Sequence, residues 1–434
     1  MSILLNPTVI SIILLSILCL KKVNVLLAII ISTIVAGLIS GMNIEDIMSI
    51  FISGMGGNSE TALSYILLGA FAATMAHSGF TAVLSEKITK MIVGKKYLLF
   101  LILLIISAFS QNLIPIHIAF IPIIIPPLLS TMNAFNIDRR AIASIITFGL
   151  EMPYITIPVG FGLIFHNLIA DNLIQNGVNV LRGDIWKSTL ILGLAMFVGL
   201  IISLFIYRKP RKYENIPIST NLNQNKTCNN YTICILTISA LLTFVVQLIT
   251  HSLPLGALVG LGVIFTFKII PKDKMDIMMN EGIYLMGYVA FVMLVAAGYA
   301  AVLKSSGSIE LLVNSVVAIL PNSIMITSFA ILLLGLLITI GIGTSFGTIP
   351  ILAVLFVPIC LKMGFNTQQI VLLIAAAAAL GDAGSPASDT TLGPTAGLNA
   401  DGQHNHIYDT CIPTFLHYNI SLIIFAMIGI YLLG

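Results

Sequence analysis

Charge is what this chain lacks most. Of its 434 residues only 9% are Asp, Glu, Lys or Arg, where a soluble domain carries about 25%. Hydrophobic residues make up 58%, and the mean hydropathy is +1.06. That balance excludes a soluble fold and points to a lipid bilayer as surroundings. Cysteine is also scarce: Cys19, Cys228, Cys234, Cys360 and Cys411 are scattered, with no CxxC pair. Neither a disulfide framework nor a cysteine metal site is suggested. No GxxxxGK[ST] motif occurs and no soluble domain is present to house one, which argues against ATP drive. No cofactor and no nucleic-acid partner is expected; the net charge of +3 carries no information alone. Met1 to Leu20 lacks a basic start and a small-residue cleavage site, and Lys21-Lys22 follows. A retained first helix is expected there rather than a signal peptide.

What the chain does have is long apolar runs. A spanning helix needs about 20 such residues. Candidate spans begin with Ile3–Leu20 and end with Pro413–Leu433, and they include Thr61–Leu84, Ala141–Phe165 and Gly282–Leu303. The expectation is an all-α, polytopic membrane protein of about 11–13 segments, some of them re-entrant hairpins. Pro122, Pro126 and Pro127 argue against a straight helix after Pro115.

Arg208-Lys209-Pro210-Arg211-Lys212 opens a polar stretch that ends near Asn230. It divides the chain into a first transmembrane repeat (1–207), a basic linker (208–230) and a second repeat (231–434). Basic loops lie on the cytoplasmic side. Lys21-Lys22, Lys87 to Lys96, Arg139-Arg140 and Lys268 to Lys274 fall on that same side when the spans are counted. Gly79-Phe80-Thr81-Ala82-Val83-Leu84 reappears as Gly298-Tyr299-Ala300-Ala301-Val302-Leu303, and Ile114-Pro115-Ile116 as Ile349-Pro350-Ile351. Lys87 follows the first copy, whereas Lys272 and Lys274 precede the span of the second. Opposite orientation of matching spans is the mark of an inverted-topology repeat.

Four polar breaks interrupt the apolar runs: Asn58-Ser59-Glu60-Thr61, Ser107 to Pro115, Gly341 to Pro350 and Gly381 to Gly397. Hydrocarbon cannot hydrogen-bond broken backbone, so such breaks persist only around an enclosed, wet cavity. Paired breaks in two halves point to a solute or ion site at the midplane of a secondary transporter. Thr344, Ser345 and Thr348 offer neutral oxygen ligands of the kind a small hard cation prefers. Asp382 and Asp389 lie in the second-half break with Ser385, Ser388, Thr390 and Thr391. A carboxylate at membrane depth costs on the order of 3 kcal/mol and usually marks a pathway. Removal from water disfavours its charged form, so sodium and a proton can compete for one such group. Asp389 is the first choice for that role, with Asp382 and Glu151 next. Asn58, Ser59 and Glu60 start a helix or supply ligands. Gln111 and Asn112 could add amide oxygens, and Glu151 sits mid-run with no cheap structural role.

Other patterns are weaker. His404 and His406, flanked by Asp401 and Asp409, form an HxH run that reads as a solvated loop more readily than as a metal site. Gly343-Thr344-Ser345-Phe346-Gly347 satisfies GxSxG, but that elbow needs a strand before it, and no alternating strand pattern is present. An enzyme is not expected. A passive channel fits paired breaks less well than alternating access does.

At these residues the chain resembles the NhaC-type sodium/proton antiporters. Gly343-Thr344-Ser345-Phe346-Gly347-Thr348 is similar to that family's GTSWGT signature, with Phe346 in place of Trp. Ser385-Pro386-Ala387-Ser388-Asp389-Thr390-Thr391 is similar to its SPISDTT signature. Ala383-Gly384 stands where the pattern usually has His-Cys. The run Gly381 to His417 looks most like the YuiF-type branch, some members of which are regarded as amino-acid (histidine-like) permeases. The resemblance implies two inverted repeats with discontinuous helices, a homodimer, and sodium and protons as coupling ions. It implies a multi-pass protein of the bacterial inner membrane that exchanges sodium for protons or takes up an amino acid.

Overall fold

The computed structural model describes residues 5–21, 23–80, 83, 95–112, 117–216, 229–250, 252–319, 323–342, 344–386 and 388–434. Thr81-Ala82, Ile114-Pro115-Ile116, Gly343, Ala387 and linker residues 217–228 lie outside that set, as do the side chains of Thr61, Gln111 and Asn112. The described chain is all-α. The first part holds α1 (Pro7–Leu20), α2 (Val25–Ile39), α3 (Ile44–Met55), α4 (Ser59–His77), α5 (Lys96–Asn112), α6 (His117–Ala134), α7 (Arg139–Thr156), α8 (Phe161–Gln175) and α9 (Ile185–Ile206). The second holds α10 (Asn230–Thr250), α11 (Leu253–Thr266), α12 (Met275–Ser305), α13 (Ser308–Ile319), α14 (Ile324–Ile342), α15 (Ser345–Lys362), α16 (Thr367–Ala379), α17 (Asp389–Leu398) and α18 (His406–Leu432). Five described helices are long and apolar enough to cross a membrane, or six if a bent pair counts as one span.

Sequence sets the helix ends. Asn43 caps α3 by accepting from the Asp46 amide at 2.8 Å. Asn366 and Gln369 form a capping box at the start of α16, each side chain taking the other's backbone N–H. Such caps satisfy donors that have no partner inside the helix, which matters most where water is absent.

The run Ala141–Phe165 is bent: α7 and α8 meet at 47° across residues 157–160. Pro158 disfavours helix at Ile157, and Gly160 takes φ +59°, which ends one helix and starts the next. Pro122, Pro126 and Pro127 all lie within α6. The short amphipathic α3 was not anticipated.

Packing follows side-chain size. α12 lies along α4, where a Cβ on Gly282 would stand 2.3 Å from the Ala70 nitrogen. Small residues let membrane helices close to backbone contact. α15 packs among α8, α12 and α16, while α17 packs on α6 and α7.

The basic end is closed by a strap. Arg139 is fully buried. Its guanidinium donates to both carboxylate oxygens of Asp401 at 2.6 and 2.5 Å, to Leu398 O at 2.9 Å and to Asn133 Oδ1 at 3.0 Å. It also lies 4.2 Å from the centre of the Tyr213 ring. Burial pushes the Asp401 carboxyl up, but the Arg139 guanidinium outweighs it and holds the group below the usual carboxylate range. Arg211 pairs with Asp409 at 2.7 Å, and Glu214 and Gln403 exchange two hydrogen bonds, each 2.8 Å. Residues 208–216 thus tie the end of α9 to the loop between α17 and α18.

Candidate functional site: a carboxylate held between broken helices

The site is built on the break between α16 and α17. Leu380 leaves the helix with ψ 130°, and the chain turns through Gly381 to Ser388. Asn419 of α18 pins this loop. Its Oδ1 accepts from the Gly381 amide at 2.7 Å and its Nδ2 donates to Ala383 O at 2.7 Å. Asn419 ends a π-helical turn, Phe415–Asn419, and such turns often mark functional positions. Gly384 has φ +100°, and a Cβ there would stand 2.4 Å from the Phe415 Cβ. Gly384→Ala is therefore expected to cost about 1–3 kcal/mol in backbone strain alone, plus displacement of Phe415. Thermal unfolding in detergent checks this, with Gly262→Ala, which meets no atom within 4 Å, as control.

Asp382 is the hub. Its Oδ2 accepts from Tyr154 Oη at 2.7 Å and from Ser345 Oγ at 2.5 Å. The Ser345 amide, at the N-terminus of α15, also donates to it at 3.4 Å, so a helix dipole faces the charge. Oδ1 accepts from Ser388 Oγ. Ser388 and Thr390 hydroxyls lie 3.0 Å apart, and Thr390 Oγ1 donates to Asp382 O at 3.0 Å. Three chain segments far apart in sequence thereby converge on one 5%-exposed aspartate.

Glu151 lies one turn before Tyr154 on α7. It is fully buried; its carboxylate oxygens make no hydrogen bond of ordinary geometry among the described residues, although the Ala383 backbone lies near enough to favour its charge. It lies within electrostatic reach of Asp382. A bare buried carboxylate costs several kcal/mol unless it is neutralised or paired.

The other sequence candidates fall in different places. Thr348 bonds Thr344 O and Ser345 O within its own turn, and Thr391 holds Ser385 O at 2.5 Å. Ser385 reaches Ile340 O at 3.2 Å. The Ser385 bond ties the second break to the end of α14. Asp389 starts α17, half-buried, within electrostatic reach of Asp382. Asn58 is buried on α12, donating to Met293 O at 3.1 Å, while Ser59 and Glu60 are exposed. Gln111 and Asn112 end α5. His404 and His406 bond Thr410 and Thr395. Burial lowers the His404 pKa to about 4, and among the described residues no His/Cys/Asp/Glu cluster could hold a metal ion. Ser345 Oγ bonds Asp382 and Tyr154.

Sequence reasoning missed Tyr154 and Asn419. Tyr154 was accessible, because position i+3 from Glu151 shares its helix face. Tyr154 also touches a ring cluster centred on Phe346, with Tyr65, Phe161 and Phe165 at 5.8 Å and Tyr154 at 5.3 Å between centroids.

An apolar helix bundle whose broken helices meet at buried carboxylates and hydroxyls defines a secondary transporter. The chain belongs to the Na+/H+ antiporter family: the profile of that family matches residues 145–430, and a second Na+-H+ antiporter profile matches residues 6–92. It is 44% identical over 437 residues to the "Putative amino acid transporter YuiF" of Bacillus subtilis, covering 98% of this chain and 99% of that one. It is also 44% identical over 438 residues to an uncharacterized membrane protein of Vibrio parahaemolyticus, covering 98% and 99%. Among solved structures, the YdaH transporter of Alcanivorax borkumensis shares the fold with a TM-score of 0.61 at 12% identity, covering 89% of this chain and 88% of that one. MtrF of Neisseria gonorrhoeae, described with a class of antimetabolite efflux pumps, gives 0.55 at 14%, covering 89% and 84%. The protein is a multi-pass secondary transporter of the bacterial cytoplasmic membrane.

Proposed function

We propose that Asp382 binds the coupling cation and that sodium and a proton compete for it. The observation that carries this is the convergence of Tyr154, Ser345 and Ser388 hydroxyls on one buried carboxylate. Hydroxyl protons turn away from a bound cation, leaving an all-oxygen shell suited to a small hard ion. Glu151 is the second acid. Its buried carboxylate suits a group that carries a proton when the ion site is empty, since two like charges disfavour joint ionisation.

The reading includes two inverted repeats moving against each other. It is supported by element order: α5 and α6 precede the bent α7–α8 pair, and α14 and α15 precede α16 and α17. It includes lipid around the bundle, supported by the outward stripe Leu190, Leu194, Phe197, Ile201 and Phe205 on α9. A second reading, ion-driven uptake of an amino acid, is favoured by the cavity described next.

The test is sodium-driven proton flux in proteoliposomes containing the purified protein. Glu151→Gln is expected to keep sodium binding but flatten the pH dependence of exchange, because the second protonation site is gone. An unchanged pH profile assigns the proton elsewhere.

A further inference from the structure

A separate cavity of about 300 Å³ includes Lys304, in the last turn of α12, in its lining. Its polar wall is unusual in kind. Asn58, Asn172, Gln175 and Asn176 supply amides, and among the described residues Lys304 supplies the one cation and no carboxylate lines it. Asn58 and Asn172 are only 4% and 5% exposed.

Hydrogen bonding fixes which end of each amide is available. Asn58 Nδ2 donates to Met293 O at 3.1 Å, Asn172 Nδ2 to Leu168 O at 2.8 Å, and Asn176 Nδ2 to Asn172 O at 2.8 Å. Backbone carbonyls thus take one of the two donors on each of these three amide nitrogens and leave the side-chain oxygens as acceptors. Lys304 Nζ donates to Gln175 O at 2.8 Å and keeps two further donors. Amide oxygens and an ammonium in one cavity match a solute carrying both an ammonium and a carboxylate. A metal cation would meet the lysine charge with no acid to offset it.

The cavity lines up with the central site along three helices. α4 begins just after Asn58 and places Tyr65 two turns deeper. α8 runs from Phe161 and Phe165 out to Asn172 and Gln175. α15 runs from Ser345 and Phe346 to Pro350 and Val354, which line the cavity. Ser345 and Pro350 are about 7–8 Å apart along the axis at 1.5 Å per residue. Each helix therefore passes from cavity wall to aromatic ring, and α15 continues to the Asp382 hydroxyl shell.

We propose that this cavity is an outer binding subsite for a zwitterionic amino acid, with Lys304 holding its carboxylate and the oxygens of Asn58, Asn172 and Asn176 its ammonium. The rings around Phe346 separate it from Asp382. The proposal rests on the transporter reading but not on the assignment of Asp382.

The test uses purified full-length protein in detergent and thermal stabilisation by the twenty standard amino acids, by plain carboxylic acids (acetate, lactate, succinate) and by amines lacking the carboxylate (ethylamine, putrescine, histamine). At least one amino acid is expected to stabilise, and the acids and amines are not. For that amino acid, labelled uptake into proteoliposomes is expected to show a KM raised tenfold or more by Lys304→Gln, with Vmax retained and KM restored by Lys304→Arg. Absence of stabilisation by all twenty, equal response to plain acids or amines, or an unchanged KM in Lys304→Gln overturns the proposal. Asp382→Asn separates the two claims. Binding that persists while uptake is lost supports both, uptake that persists sinks only the Asp382 assignment, and sodium–proton flux with no amino-acid binding sinks only the cavity.

Discussion

Asp382→Asn is expected to reduce coupled transport by at least about 100-fold while leaving the folded protein in the membrane. Asparagine keeps the shape and can still accept from one or two of the hydroxyls. It loses the charge that holds a cation out of water. A hydrogen bond to a charged group is worth about 1.5–3 kcal/mol, and Asp382 accepts from three hydroxyls and one amide. Losing about 3 kcal/mol of ion binding corresponds to roughly a hundredfold. Asp389→Asn is the informative comparison. Sequence alone ranks Asp389 first, yet its carboxylate receives none of the converging hydroxyls. Its replacement is expected to weaken transport by less than about tenfold, because charge at the start of α17 contributes only about 0.3–1 kcal/mol. Sodium-driven proton flux and sodium-dependent stabilisation in detergent measure both variants. Equal, complete loss in the two would return the leading role to Asp389.

Arg139→Met is expected to be the most damaging single change to stability. It leaves Asp401, whose side chain is 2% exposed, buried without its cation, at a cost of about 3–5 kcal/mol. Two further acceptors, Leu398 O and Asn133 Oδ1, lose their donor. The double variant Arg139→Met with Asp401→Leu is expected to recover part of the loss, since removing both charges lifts the desolvation cost. The pair also sets a pH signature. The folded-state pKa of Asp401 is depressed, so its stabilisation is complete above the ordinary carboxylate value, about 4. It is lost as pH falls through the lower, folded value. Thermal unfolding against pH should therefore show a decline on the acid side that is smaller in the double variant, where the Arg211–Asp409 pair still contributes.

Much of this was readable in one dimension. Hydropathy places the helices because each apolar run must satisfy its own backbone in lipid, and the glycine, serine and threonine clusters mark where that rule is suspended. The second-half break was legible for the same reason: two aspartates at membrane depth have few explanations. Partnership was not. Tyr154 is an aromatic in an apolar run, which looks like core until Asp382 is placed beside it across 228 residues. The pair Arg139-Arg140 reads as a solvated basic loop, yet only Arg140 reaches solvent, because the partner that buries Arg139 comes 262 residues later. The kink at residues 157–160 hid inside a run whose hydropathy stays high through Pro158 and Gly160.

Asn419 gives the order of biosynthesis a part in building the site. The loop carrying Asp382 leaves the ribosome 38 residues ahead of the amide that clamps its first glycine. Until α18 enters the bilayer, Gly381 and Ala383 keep a free donor and acceptor in a region with little water to satisfy them. The pocket around Asp382 thus closes only once α18 has inserted, and a nascent chain stalled before that helix carries Asp382 and Glu151 without the amide that holds the loop in place.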